Sequence, residues 1–494
     1  MWPFSDPYPQ ISVDKLGVQY DYIFLGGGNT GCVLARRLGE SGTHTILLVE
    51  RGDAGDSWLN RTPLTSLHHW SDGKHSNVFD SAPDSVLGRS FSLITGFSLG
   101  GSTRINGGPL EVRSFERYEC NSSEQAGNAA NHLSFLPILD MHSPLEPSLG
   151  WNKMQFTVDA DEIRQSAFRA YLPRLWVNSM AKHLHICTRA IAAKPVFSRA
   201  PNGQLHADSI EIHSMDGQRA ERSFWLAARS RVPNCSCSGW WSTLLNSSPN
   251  SLSPYSGVGP TDHLSEMGID VVDYLPGVGA HLVHQRHIGK HRIFNSFYVR
   301  AARSSLCPTS YNCPLSDLMW ALFRRPWTLV GQLYKYLRRG TGWLMCTTVE
   351  VEIFGKSSLV RADAALDALS DRDKDPFAPG NIPDFACGIA DPRGPGIDRS
   401  KGFFGLNWAL LKVDSRGQVY LRSRDPTDTP LCQMRYLTAA VDRAALRAAL
   451  RVSVKLAHQM RTDGYALTGV KVPHALDDAA LDEFISGGVE TMYH

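Results

Sequence analysis

Tyr20-Asp21-Tyr22-Ile23-Phe24-Leu25-Gly26-Gly27-Gly28-Asn29-Thr30-Gly31 is the stretch that decides how this chain folds. Tyr20 to Leu25 is an apolar run that reads as a buried strand, and three glycines in the spacing Gly26-x-Gly28-x-x-Gly31 form the turn after it. Cys32 to Leu38 then reads as a helix, with Val33, Leu34 and Leu38 near helical spacing and Ala35 small enough for close packing. Thr45 to Val49 reads as a second strand, ending at Glu50. The unit has the length of a right-handed crossover.

Each residue type in this pattern has a physical task. Gly26 permits the tight turn, Gly28 lets backbone approach a pyrophosphate, and Gly31 lets the helix pack on the strand. The helix start offers N–H groups and partial positive charge to phosphates. Glu50, about twenty residues on, can accept the hydroxyls of a ribose, which disfavours a 2′-phosphorylated nucleotide. With strand, helix and acid in register, the expectation is an α/β dinucleotide-binding domain.

The 494 residues exceed one ordinary domain, so two interlocked lobes are expected. A net charge of +2 points neither to nucleic acid nor to an anionic membrane. The ten cysteines form no CxxC pair, and Cys235 and Cys237 are one residue apart, which argues against a zinc ribbon or disulfide scaffold. The start, from Met1 to Pro9, has no basic or apolar leader region, and no stretch is apolar enough to span a bilayer. A cytoplasmic location is the expectation.

Along the chain, Asp53 to Arg89 is polar and turn-rich, a surface excursion. Strands are predicted at His183 to Cys187 and, flanking the turn Asp216-Gly217, at Ile210 to His213 and Ser223 to Ala227. Asp442 to Met460 is an amphipathic helix with Leu446, Leu450, Val454 and Leu456 near its apolar side. Arg229 to Ser256 is rich in Ser, Asn, Cys and Pro and has no periodicity.

A second glycine-dense segment, Gly100-Gly101-Ser102-Thr103-Arg104-Ile105-Asn106-Gly107-Gly108, resembles the GGSSxxNG segment of the glucose–methanol–choline (GMC) oxidoreductases. Gly257-Val258-Gly259-Pro260 with Asp262-His263-Leu264 resembles that family's GIGPxxxL piece, and Leu275-Pro276-Gly277-Val278-Gly279 its LPGVG. Val419-x-Leu421-x-Ser423-x-Asp425-Pro426 resembles VxLxSxDP, and Glu490-Thr491-Met492-Tyr493-His494 the start of ETxYHPxGTxxM. The motifs stand in family order over most of 20–494 and are most similar to the fungal aryl-alcohol oxidase-like branch.

The resemblance implies a Rossmann-like FAD-binding domain, mainly 20–285, interleaved with an α+β substrate domain on an antiparallel sheet, mainly 286–494. It implies FAD rather than NAD, held by Gly26, Gly28, Gly31, Glu50, Gly100, Gly101, Ser102 and Asn106, with backbone near Ala192 as an adenine contact. The implied reaction oxidises the CH–OH group of a small alcohol. Flavin N5 takes a hydride and a neutral imidazole takes the proton; His494 corresponds to that imidazole. Oxygen or another acceptor then takes the electrons, with no nucleic-acid or membrane partner.

Several departures qualify this expectation. The sequence stops at His494, before the PxGTxxM segment and the family's second His or Asn, and a terminal carboxylate favours the imidazolium over the base. Pro233 and its polar surroundings cannot make the central strand that the family has there. Cys120 to Leu145 departs from the family's helical region, and His281-Leu282-Val283-His284-Gln285 stands where NLQDH is common. A catalytically inactive FAD-binding remnant and an NAD-linked dehydrogenase are therefore the alternatives.

Two competing sites are set aside. Gly96-x-Ser98-x-Gly100 formally matches a nucleophile elbow, but no helix is expected after it. His281, His284 and His287 would fan out around a helix, so no metal site is expected.

Overall fold

The computed structural model describes residues 8–17, 19–55, 60, 73–105, 112–114, 121–141, 143–157, 165–199, 201–203, 205–216, 219–228, 257–282, 286–288, 309–314, 326–339, 344, 349–361, 367, 370, 373, 375, 381–390, 402–425 and 428–491. The stretch at 229–256, Pro233 included, lies outside the described residues, as do the turn at 217–218, Asn106 and His494.

A strand that is apolar on both faces must be covered on both, and Ile46-Leu47-Leu48-Val49 has that character. Its four residues are at most 2 % exposed. Strand Ile46–Val49 is the middle of a parallel sheet, with Tyr22–Leu25 on one side and Leu184–Cys187 on the other. Helix Asn29–Gly39 packs on this sheet through Cys32, Ala35 and Gly39, whose small size permits the close approach. Strand, helix and strand fall within a few residues of the sequence expectation, and the architecture is a mixed α/β, Rossmann-like fold.

An antiparallel meander follows, formed by Ala190–Arg199, Leu205–Asp216 and Arg219–Ala228. Its last strand ends by pairing parallel with Gln19–Tyr20, immediately before the first strand of the parallel sheet.

The second large element is an eight-stranded sheet. Its main path runs 468–471, 309–313, 402–410, 385–390, 349–355, 150–153, and the strands 286–288 and 489–491 join beside 402–410. All of its pairings are antiparallel. Helices Asn121–His132 and Ala440–Thr462 cover one face over a core that includes Trp408, Phe385, Val351, Ile353, Ala448 and Leu456. The long helix matches the amphipathic pattern. The helix at 121–132 does not match the reading of 120–145 as a departure from helix. Ala126, Ala129 and Ala130 are fully buried and Gly127 lies under the Trp151 ring, so small residues rather than a hydrophobic stripe hold this helix in place.

The opposite face of the sheet has a different character. Register aligns Asn152, Glu352, Gly388 and Asn407 in one row across four strands. Burial pushes the Glu352 carboxyl up to about 7. Glu352 is half-buried by surface area, but its carboxyl is densely surrounded by protein. The folded state therefore keeps a proton that the unfolded chain loses in the ordinary carboxylate range, and stability falls as pH rises through that window. Glu352→Gln should remove this component. Urea titrations from roughly pH 5 to pH 7 should show the variant gaining on the parent by up to about 1.4 kcal/mol per pH unit; a gap that ignores pH would contradict the burial of an ionisable carboxyl there.

Candidate functional site

The first glycine turn is built by close backbone approach. Gly26 adopts φ +100° and donates its N–H to the Val49 carbonyl at 2.8 Å. A Cβ on Gly31 would overlap the Gly26 carbonyl oxygen, so only glycine lets the helix start this near the strand end. Gly28 is the N-cap; no side chain caps the helix and no acid lies in its first turn. The first-turn N–H groups are left for an outside acceptor.

Glu50 closes the turn from the neighbouring strand. It is 8 % exposed, and its carboxylate accepts from Gly27 N–H at 2.7 Å and Gly52 N–H at 2.8 Å. Burial pushes its carboxyl up from the ordinary range, while the N–H groups of Gly52 and Gly27 and the Arg51 charge pull it down.

The second glycine segment lies directly on the first. Gly100 donates to the Gly27 carbonyl at 2.7 Å, and a Cβ on Gly101 would sit 3.0 Å from Gly28 Cα. Gly100 and Gly101 both have positive φ, +91° and +53°. Ser102 Oγ accepts the Gly96 N–H at 3.3 Å, and Thr103 Oγ1 donates to the Gly100 carbonyl at 2.6 Å. Of the residues expected at the site, Gly26, Gly28, Gly31, Glu50, Gly100 and Gly101 are thus brought together, with Ser102 alongside. Ala192 is buried in the core beneath the parallel sheet, two residues beyond Ala190, whose N–H bonds to the Glu50 carbonyl at 3.0 Å.

Arg51 escaped the sequence reading. Its guanidinium lies over the Phe97 ring at 5.3 Å, and its buried Nε and Nη1 have no hydrogen-bond partner. Burial lowers its pKa, while the charges of Glu50 and Asp425 raise it. The signal was its position: a cation next to the acid that ends the second strand.

In the competing histidine set, His284 lies outside the described residues. In the competing elbow, Ser98 is fully buried, and the described residues that follow it form a 3-10 turn, Gly101–Arg104. No group of three or more metal-ligating side chains occurs among the described residues.

Comparison with known proteins gives the same architecture. Residues 413–494 match the family model described as GMC oxidoreductase. The GMC oxidoreductase family is supported. An oxygen-dependent choline dehydrogenase of Photobacterium profundum is 25% identical, over 97% of this chain and 83% of its own length. A formate oxidase crystal structure superposes with a TM-score of 0.75 at 17% identity, covering 97% of this chain and 88% of that one. A fungal aryl-alcohol oxidase structure gives 0.63, also at 17% identity, over 97% and 89%. At that identity the structural likeness is one of fold.

The steric demand at Gly31 can be tested directly. Gly31→Ala sets a methyl against backbone that no rotamer change can relieve, and should cost about 2 kcal/mol or more. Gly487→Ala, in a helix with open space around it, should be neutral or stabilise by up to about 1 kcal/mol. Thermal unfolding followed by circular dichroism measures both; equal midpoints for the two variants would refute the packing account.

Proposed function

We propose that this chain is an FAD-dependent oxidoreductase acting on the CH–OH group of a small alcohol. The observation that carries this reading is the hydrogen bond from Gly100 to Gly27, which joins two side-chain-free segments beside a buried carboxylate. The residues present fit a dinucleotide. A Cβ on Gly27, Gly31, Gly100 or Gly101 would crowd the glycine cradle, the helix start is uncapped, and Arg51 holds unpartnered donors beside Glu50. NAD would use the first turn and Glu50 but would leave the second glycine segment without a ligand. The choline dehydrogenase relatives support the same chemical class, and the formate oxidase neighbour supports the fold.

When bound, FAD supplies a two-electron acceptor for the hydride of the alcohol carbon. The work of the chain is binding and orientation. Gly26, Gly28 and Gly31 would admit the pyrophosphate to the helix start, Glu50 would accept from the ribose, and Arg51 would offset phosphate charge. Gly100, Gly101, Ser102 and Asn106 would hold the flavin side and backbone near Ala192 the adenine, and His494 would take the hydroxyl proton. The FAD lobe is drawn mainly from 20–285 and the substrate lobe mainly from 286–494. Oxygen is the proposed acceptor, by analogy with the oxygen-dependent relatives. The aryl-alcohol oxidase-like placement rests on the motif order together with the shared fold. Among the described residues no helix is long and apolar enough to cross a membrane.

The test is colour and turnover. Purified protein should carry flavin absorbance, and a panel of primary alcohols should bleach it under anaerobic conditions. Glu50→Ala should lower flavin occupancy several-fold after gel filtration, since a buried charge-assisted contact is lost. Colourless, well-folded protein that takes up no added FAD would overturn the reading.

A further inference from the structure

Helix Pro326–Arg339 is amphipathic, but it turns its apolar side outward. Among its described residues the buried ones are Gln332 and Tyr336. Trp327 is 86 % exposed, and Val330, Tyr334 and Leu337 are each more than half exposed. These four recur at spacings of three and four, so they share one side of the helix. At about 100° per residue they fall within about 80° of its circumference, roughly opposite Gln332 and Tyr336. From Trp327 to Leu337 the stripe runs about 15 Å along the axis. Leu333 adjoins it on one flank; Arg338 and Lys335, both exposed, adjoin it on the other. A single exposed apolar side chain such as Leu175 is ordinary, whereas four in one line mark a surface that something covers.

Charge selects the occupant. Between Asp317 and Glu350 the sequence has no acid, while Arg324, Arg325, Lys335, Arg338 and Arg339 are cations. The net +2 of the whole chain conceals this local excess. A second copy of the chain would bring the same cations to the same stripe, and like charges oppose such a pairing. Anionic headgroups over hydrocarbon match both parts of the surface. Indole and phenol rings favour the boundary between headgroup and acyl chain, and Lys and Arg extend to the phosphates. A helix of about 21 Å is too short to cross a bilayer and suited to lie along one.

We propose that helix 326–339 is a surface anchor that seats Trp327, Val330, Tyr334 and Leu337 in the headgroup boundary of an anionic bilayer. Lys335 and Arg338 supply the attraction to the headgroups. This departs from the expectation of no membrane partner, which took the charge of the chain as a whole. It is independent of the oxidation chemistry, since no residue of the dinucleotide site belongs to this helix.

The test is co-sedimentation of the full chain with two kinds of vesicle, phosphatidylcholine alone and an equimolar mixture with phosphatidylserine. Binding should favour the mixed vesicles about 10-fold or more and weaken as salt is raised. Trp327→Ser combined with Leu337→Ser should weaken it about 10-fold or more. Lys335→Gln combined with Arg338→Gln should weaken binding to the mixed vesicles by a similar factor and leave that to phosphatidylcholine unchanged. Leu175→Ser, at a similarly exposed position elsewhere, should bind as the parent does. All five positions are exposed, and circular dichroism should show parent-like folding in each variant. Parent protein that stays in the supernatant, or binding that survives the Trp327 and Leu337 pair, overturns the proposal. A dimer in lipid-free solution that the same pair disperses also overturns it, because the stripe is then covered by a second copy.

Discussion

Three hydrogen bonds around Gly27 hold together the end of one strand, the start of a helix and two later loops. Gly27 donates to Glu50, Gly52 donates to the same carboxylate, and Gly100 donates to the Gly27 carbonyl. None of these contacts leaves room for a side chain: a Cβ on Gly27 would meet Leu99, and one on Gly52 would overlap the Phe97 carbonyl. Backbone at this density forms only where the chain carries glycine at each crossing. The buried carboxylate at the centre is tolerable because two N–H groups face it. Cys32, whose thiol donates to the Gly27 carbonyl at 3.2 Å and is pushed up to about 12 by burial, completes the packing as a small uncharged group.

The part of the fold legible in the sequence is the part set by local sterics. Gly26, Gly28 and Gly31 each answer a demand made by a near neighbour, and the long amphipathic helix at 440–462 announces itself by period. Family resemblance gives the two glycine segments one common ligand, but their direct contact is not legible in the sequence, since nothing local says that Gly100 must meet Gly27. Helix 121–132 was missed because Ala126, Gly127, Ala129 and Ala130 carry little hydrophobic signal; what holds them is a neighbouring sheet and helix. Ser98 illustrates the reverse case: its spacing matches a nucleophile elbow, the missing helix argues against one, and the side chain is fully enclosed.

The two faces of the large sheet show why register matters more than composition. Val349-Glu350-Val351-Glu352-Ile353 alternates visibly, and Val351 and Ile353 sit in the helix-covered core as that alternation requires. What the alternation cannot supply is the company Glu352 keeps. Asn152, Gly388 and Asn407 come from strands distant in the chain and are aligned only by pairing. The same pairing puts Trp408 against Phe385, ring centroids 5.4 Å apart, on the dry side. One sheet thus separates a packed hydrocarbon layer from a polar one by the thickness of its own backbone.

The order in which strands leave the chain has a consequence for heredity as well as for folding. Strand 150–153 belongs to the antiparallel sheet, yet it is synthesised after two strands of the parallel sheet and before the third, 184–187. The sheets are stitched through one another. No single cut separates them into pieces that each keep all their strands, so neither half could be shuffled between genes as a cassette. Variation in such a chain has to arrive by substitution or by changes within connecting segments, with both sheets retained together.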